Sequence, residues 1–311
     1  MRNAEELLKK AEPLFGVPLP VIKSIELTTD LFWYPPLLRE HLFEVPLPDD
    51  TVVVRYLSEP KAMRFIRMKS LYFRRHDLLR TVDTREGTIP RATVENDERA
   101  AKLGDLAAIQ RQLGRQMWEG TWLANGFVAC FSAKVDDEKM FREYIWDSNG
   151  IMIATTVGKL RGLCSGDGGH GGAKDAAVEH VRYIDMARAP MNEMPRDFPA
   201  FYKSWDLEWE DEVRFVIRYG IGQMHGPYGA FKEAWPDGEL LRINVGDVVD
   251  RIIVAPQSRV GYIDTIAQLL QRNHIDLVPE WGALGCVDRE EFLKRGEPVI
   301  PAADGRSDAE G

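Results

Sequence analysis

The stretch SWDLEWEDEVRFVI, residues 204–217, places five carboxylates within Asp206–Glu212 and then becomes apolar. Read with a period of two, one side collects apolar residues and is broken by Asp211: Trp205, Leu207, Trp209, Val213, Phe215 and Ile217. The other side collects charged residues and is broken by Val216: Asp206, Glu208, Glu210, Glu212, Arg214 and Arg218. This alternation predicts a half-buried strand with one apolar and one charged face.

The row of glutamates on the charged face carries an electrostatic cost. Side chains on one face of a strand lie roughly 6.5–7 Å apart, so Glu208, Glu210 and Glu212 repel one another unless a cation neutralises them. One interpretation is a solvated strand face on which Arg214 is the counter-ion. The other is a site whose ligand carries positive charge. The stretch by itself leaves both interpretations open.

The composition of the 311-residue chain is that of an ordinary globular protein, with 44% hydrophobic and 29% charged residues. Its net charge of −9 argues against a protein that coats nucleic acid, because phosphate binding needs a basic surface. A local basic patch is still available between Arg64 and Arg80, where the sequence is RFIRMKSLYFRRHDLLR.

Three cysteines, Cys130, Cys164 and Cys286, are widely separated and favour neither a disulfide framework nor a metal-binding CxxC pair. We therefore expect a reducing, cytoplasmic location. The segment MRNAEELLKKAEPLF lacks the apolar core of a signal peptide, and no apolar run approaches the length of a membrane span. We expect no membrane association.

The chain is predicted to have a proline-rich N-terminal extension over residues 1–50, a single α+β domain of catalytic type over 51–285 and a C-terminal tail over 286–311. Prolines in FGVPLPVI, FWYPPLL and EVPLPDD exclude long helices from the extension. Short strands and helices then follow one another without regular βαβ repetition. We therefore expect a mixed, largely antiparallel, short-stranded sheet with flanking helices.

Two familiar classes of site lack support in the sequence. The glycine-rich segment CSGDGGHGGAKD, residues 164–175, lacks the Gly-Lys-Ser/Thr of a phosphate-binding loop. No histidine lies at ligand spacing from another histidine or a cysteine. His76 and Asp77, near Asp83 and Glu86, are better explained by salt bridges in a loop, and we expect no metal.

Polar residues end two otherwise apolar strands. Arg55 lies near the end of VVVRY and is either a charge at the rim or a buried clamp for an anion. Thr155 and Thr156 end IMIATT, where their hydroxyl groups either cap the following helix or position a ligand.

Several segments taken in order resemble a bacterial and phage family, domain of unknown function 2971. They are VRYLSEPKAMRFIRMKSLYFRR, FVACFSAKVDDEKMFREYIWDSNGIMIATT, VRYIDM, FYKSWDLEWEDEVRFVI and VDRIIVAP. The family's Lys…Glu-x-Glu-x-Arg signature corresponds here to Lys203, Glu210, Glu212 and Arg214, and the resemblance covers roughly residues 51–280. The chain departs from the family in its proline-rich extension and its glycine-rich insertion. The family is often found near phage-defence genes.

The order arginine, threonine, Glu-x-Glu also looks like the pattern of ADP-ribosyltransferases, which would make NAD a substrate. By that resemblance, Glu212 would bind the ribose hydroxyls and stabilise the oxocarbenium-like charge, while Glu210 would orient or deprotonate the acceptor. Arg55 would grip an NAD phosphate, and Thr155 or Thr156 would hold the nicotinamide-side ribose.

Aromatic residues complete that hypothesis, and two other functions compete with it. Tyr56, Tyr72 or Phe73 would stack on the nicotinamide, and the acceptor would be an unidentified macromolecule, protein or nucleic acid. Val157 follows the threonine pair where the usual pattern has serine. One alternative is a non-catalytic binding or sensor module in phage defence. The other is a metal-dependent nuclease that uses four acidic residues: Asp83, Glu208, Glu210 and Asp211.

Overall fold

The computed structural model describes residues 47–81, 83–105, 108, 126–145, 149–163, 173–188, 199–219 and 236–287. Most of the predicted extension (1–50), most of the glycine-rich segment (164–175) and most of the predicted tail (286–311) lie outside these ranges. The strands are β1 Val52–Ser58, β2 Ser70–Arg75, β3 Gly126–Ser132, β4 Gly150–Thr156, β5 Ala173–His180, β6 Arg182–Ile184, β7 Tyr202–Ser204, β8 Glu212–Tyr219, β9 Gly238–Arg242, β10 Arg251–Val254 and β11 Pro279–Trp281. The α-helices are α1 Glu59–Met68, α2 Arg91–Lys102, α3 Glu138–Tyr144, α4 Val157–Gly162, α5 Val245–Val248 and α6 Tyr262–Arg272.

The fold is α+β with a mostly antiparallel sheet, which confirms that part of the prediction. The described residues form two compact units. The first unit takes residues up to Thr51, Ser70–Ala133 and Thr156–Ile243, and the second takes Val52–Lys69, Lys134–Thr155 and the chain from Asn244. Each unit therefore draws on separate stretches of sequence.

The first unit contains five strands in the order β9-β2-β3-β8-β5, all antiparallel. One face of this sheet is apolar, and the rings of Phe73 and Phe215 meet edge to face there with centroids 4.9 Å apart. Strands β6 and β7 form a separate parallel pair, and 3-10 helices run over His76–Thr81, Pro199–Phe201 and Trp205–Glu210. These short elements carry side chains that reach the charged face of β8.

The second unit contains strands in the order β11-β10-β4-β1, with β10 antiparallel to β4 and parallel to β11. Helix α1 begins after Ser58 with a proline in its first turn and ends at Met68, because the following Lys69 has a left-handed backbone with φ of 46°. Helix α3 is capped by Asp137, whose side chain accepts a hydrogen bond from the Met140 N–H. Local signals in the sequence thus determine where these two helices begin or end.

The predicted strand over the acidic stretch is wrong in its first half. Residues Trp205–Glu210 form a 3-10 helix, and β8 begins at Glu212. Asp211 has a left-handed backbone with φ of 45°, which ends the 3-10 helix and redirects the chain into the strand. Glu208 and Glu210 therefore do not share a strand face with Glu212, and Trp205 is 63% exposed instead of lying in the core.

Among the described residues, every helix falls short of the length and apolar character that a membrane span requires.

Candidate functional site

The charged face of β8 carries a buried cluster of ionic side chains within the first unit. Glu212 and Arg214 point to the same side because they are two residues apart on a strand. In the register of the sheet, Glu212 lies opposite Ser132 and Arg214 lies opposite Cys130 of β3. Glu212 is 3% exposed and Arg214 is 1% exposed, so these two side chains are shielded from bulk water.

Arg214 is the centre of the cluster because its guanidinium group bridges two carboxylates. Its Nε and Nη2 donate to the Glu212 carboxylate at 2.8 and 3.1 Å. Its Nη1 and Nη2 donate to Glu86 at 2.5 and 2.8 Å, and Nη1 also donates to the carbonyl oxygen of Ala200. The planar fork of arginine suits this two-sided, bidentate arrangement, which a lysine cannot reproduce.

Lys203 supplies the second cation. Strand β7 places its ammonium group between the carboxylates of Glu210 and Glu212, with Nζ 3.1 Å from the Glu212 Oε2. The side chains of Lys203 and Glu210 are 11% and 9% exposed, more than the other members of the cluster. This end of the cluster is therefore the part nearest to solvent.

Burial and neighbouring charges shift the pKa values of these groups in opposite directions. Burial alone would raise the pKa of Glu212, but the charges of Arg214 and Lys203 outweigh it, so that pKa lies below its usual value. The pKa of Glu86 is likewise lowered, because Arg214 and His76 overcome the effect of burial. Burial lowers the pKa of His76 despite its contact with Glu86 at 3.0 Å. At neutral pH the carboxylates are ionised and His76 is neutral.

Three neutral groups complete the surroundings of the glutamates. The Glu212 backbone N–H donates to the Tyr183 hydroxyl oxygen at 2.8 Å. The Ser132 hydroxyl donates to the Glu210 carbonyl oxygen at 2.6 Å, which fixes the end of the 3-10 helix against β3. Burial, and then the charge of Glu212, raise the pKa of the Cys130 thiol, so Cys130 is a neutral group in this cluster.

The structure brings together all four residues of the Lys203, Glu210, Glu212 and Arg214 signature. The interpretation of a solvated strand face is therefore wrong for Glu212 and Arg214, which are buried. Asp206 and Glu208 are exposed, as that interpretation expects, but they lie on the 3-10 helix and not on a strand.

Arg55, Tyr56 and Thr155 belong to the second unit. Arg55 lies half-buried on β1. The Tyr56 ring is 7% exposed and packs on Phe141, and its hydroxyl donates to the Lys134 carbonyl oxygen at 2.7 Å. The Thr155 hydroxyl donates to the Val248 carbonyl oxygen at 2.6 Å. The predicted convergence of Arg55 with Glu212 stays a prediction.

Tyr72, Phe73 and Thr156 belong to the first unit. Thr156 caps α4 by accepting from the Lys159 N–H, which confirms the capping interpretation for this threonine. Phe73 is fully buried against Phe215, so no face of its ring is open to a ligand. Tyr72 is half-buried, and its hydroxyl lies 3.4 Å from the Asp237 carbonyl oxygen.

The loop after β2 forms salt bridges, as predicted. Arg75 contacts Asp77 at 2.7 Å, and Arg85 contacts Asp83 at 3.5 Å. Within the part of the chain that the structure describes, no group of three His, Cys, Asp or Glu side chains is placed to hold a metal ion.

Sequence reasoning missed Glu86 and Tyr183 as members of the cluster. Glu86 lies 128 residues from Arg214 along the chain, and no local pattern links the two. Tyr183 had a usable signal, since it lies in VRYIDM, a segment already grouped with the acidic stretch by the family resemblance.

Searches of family models, of curated proteins and of solved structures each return no match to this chain. The resemblance to domain of unknown function 2971 therefore stays a prediction, and function is argued below from the cluster itself.

Proposed function

We propose that the protein is an NAD-dependent ADP-ribosyltransferase of a bacterial or phage defence or toxin type, with Glu210 and Glu212 as its catalytic carboxylates. One observation carries the proposal: two buried glutamates, Glu210 and Glu212, meet at the Lys203 ammonium group, at the end of the cluster nearest to solvent. The charges of Arg214 and Lys203 hold the pKa of Glu212 below its usual value despite burial, so this carboxylate is ionised. An ionised carboxylate in a buried site suits a ligand that carries or develops positive charge.

The reaction would use the negative charge of Glu212 directly. The bond between the nicotinamide nitrogen and C1′ of the ribose breaks, and its electron pair leaves with neutral nicotinamide. Positive charge develops on C1′, where the ionised Glu212 stabilises it. An acceptor nucleophile then forms the new bond to C1′ and gives its proton to Glu210.

Lys203 and Arg214 would serve the reaction as positioning residues. Their charges lower the pKa of Glu212 against the effect of burial, which keeps that carboxylate ionised across the neutral pH range. The two contacts of Arg214 also fix the rotamer of Glu212. A carboxylate held in place before the substrate binds needs no reorganisation during the reaction.

Incubation of the protein with labelled NAD and a bacterial lysate tests the proposal. We expect label to be transferred to a macromolecule by the wild type, to be lost with Glu212→Gln and to be kept with Glu208→Gln. The Glu208 variant is a matched control, because that side chain is an exposed glutamate four residues away. Equal labelling by both variants would show that Glu212 does not take part in the reaction.

A second candidate is a non-catalytic binding or sensor module, and one observation favours it. The carboxylates of Glu86 and Glu212 each contact cations of the chain itself, as expected of an internal structural cluster. In that case the wild type would leave NAD unchanged. Glu212→Gln would then lower stability and would have no other effect, which thermal unfolding alongside the labelling assay distinguishes.

A further inference from the structure

Tyr183 is held beside the two glutamates by backbone geometry. It lies on β6 directly opposite Lys203 of β7, and its hydroxyl oxygen accepts the Glu212 N–H at 2.8 Å. Tyr183 is half-buried, and its strand partner Lys203 lies at the end of the cluster nearest to solvent. Its position is fixed by the same residue that carries the proposed catalytic carboxylate.

The hydroxyl of Tyr183 keeps its own proton for another partner. A phenol has one O–H donor besides the lone pair that the Glu212 N–H uses. No acceptor among the described residues takes that proton. Burial raises the pKa of Tyr183, with the charges of Glu212 and Glu210 acting in the same direction, so the group stays a donor at neutral and alkaline pH.

A donor beside ionised acceptors matches a ligand that has adjacent hydroxyl groups. A carboxylate accepts from one hydroxyl, and the tyrosine donates to the oxygen of its neighbour. We propose that Tyr183 is a specificity-determining residue that donates a hydrogen bond to a hydroxyl oxygen of the nicotinamide-side ribose. The inference rests on the proposed function and adds to it the selection of ribose over deoxyribose.

Steady-state kinetics of wild type and Tyr183→Phe with NAD and with its 2′-deoxy and 3′-deoxy ribose analogues test this role. We expect Tyr183→Phe to lower kcat/KM for NAD by about 3- to 10-fold, the usual effect of one neutral hydrogen bond. For one deoxy analogue, which lacks the partner oxygen, wild type and variant should have equal kcat/KM. A merely structural role would lower all three values by the same factor.

Tyr262→Phe is the matched control. Tyr262 is also buried and its hydroxyl has no hydrogen-bond partner among the described residues, but it belongs to the second unit. The Tyr262→Phe variant should leave the ratio of kcat/KM between NAD and each analogue unchanged. If the Tyr183→Phe variant is active and also leaves this ratio unchanged, the role of Tyr183 is contradicted while the proposed function is not. Absence of NAD turnover by folded wild type would overturn the proposed function and the inference with it.

Discussion

At the scale of single residues, Arg214 supplies the positive charge that compensates the buried carboxylates of the cluster. Two buried carboxylates depend on its guanidinium group for compensation, at distances of 2.5 to 3.1 Å. The desolvation of such groups costs several kcal/mol per ion, so the arrangement is stable only while its charges stay matched. The cluster is therefore sensitive to loss of one partner, even though its net contribution to stability is small.

Replacement of Arg214 by methionine should lower the free energy of unfolding by about 3–5 kcal/mol, because Glu86 and Glu212 lose their shared counter-ion. Urea denaturation measures the change. Arg85→Met is the control, since Arg85 is 46% exposed and pairs with an exposed Asp206. It should cost less than about 1 kcal/mol. Equal losses in the two variants would mean that Arg214 is not the centre of the cluster.

His76 should make the protein lose stability in mildly acidic solution. Its folded-state pKa is below the value in the unfolded chain, so the unfolded state binds a proton first as pH falls. Stability is complete above about pH 6.5 and then decreases by about 1.4 kcal/mol for each pH unit until the folded-state pKa is reached.

Chemical denaturation between pH 7.5 and 5 measures this dependence. His76→Asn should remove it, whereas His274→Asn, at an exposed site, should keep it. A wild-type protein whose stability is constant over this range would contradict the effect of burial on His76. The losses from Glu86 and Glu212 come lower, below about pH 4.3, because their folded-state pKa values are depressed.

At the scale of elements, the turn between the 3-10 helix and β8 positions Glu210 and Glu212, the proposed catalytic pair. Asp211 has φ of 45°, a conformation that aspartate tolerates and β-branched residues do not. Because of this turn, Glu210 ends the 3-10 helix and Glu212 begins β8, while both side chains contact Lys203.

Asp211→Val should therefore destabilise the protein by about 1–2 kcal/mol, whereas Asp211→Gly should be close to neutral. The difference between the two variants in thermal or urea unfolding isolates the backbone effect, because both remove the same carboxylate. A valine variant as stable as the glycine variant would show that the turn does not need a left-handed residue.

The elements show which parts of the structure the sequence could predict. Strand β4 contains the predicted strand IMIATT, because a short apolar run that is rich in β-branched residues and follows a glycine favours a strand. The acidic stretch is compatible with two structures, since carboxylates at alternate positions fit both a strand face and a polar 3-10 helix. The reversal at Asp211 decided between them, and an aspartate in a row of acids gives no distinct signal for it.

The candidate site was predictable to the extent that its members are close in sequence. Lys203, Glu210, Glu212 and Arg214 lie within twelve positions, and the signature groups them. Glu86 could not be predicted as a member, because its contact with Arg214 joins residues that are 128 positions apart and depends on tertiary packing. Local chemistry thus identified the charges, and tertiary packing supplied the partner that balances them.

At the scale of the whole molecule, the net charge of −9 affects which macromolecules the protein attracts, and so which acceptors the proposed reaction would reach. An acidic protein attracts basic proteins at long range, and salt screens that attraction over about 10 Å at 0.1 M. Label transfer to basic proteins of a lysate should therefore be faster at 20 mM than at 200 mM salt. Hydrolysis of NAD in the absence of acceptor should change little, which provides the control. Transfer that is equally fast at both salt concentrations would contradict electrostatic steering.

The most direct measurement of the central claim is the release of nicotinamide from NAD, followed by proton NMR with purified protein and lysate acceptors. We expect release by wild type, a decrease of about 100-fold or more with Glu212→Gln, and near wild-type release with Glu208→Gln. Folded wild-type protein that releases no nicotinamide, or a Glu212→Gln variant as active as wild type, would contradict the central claim.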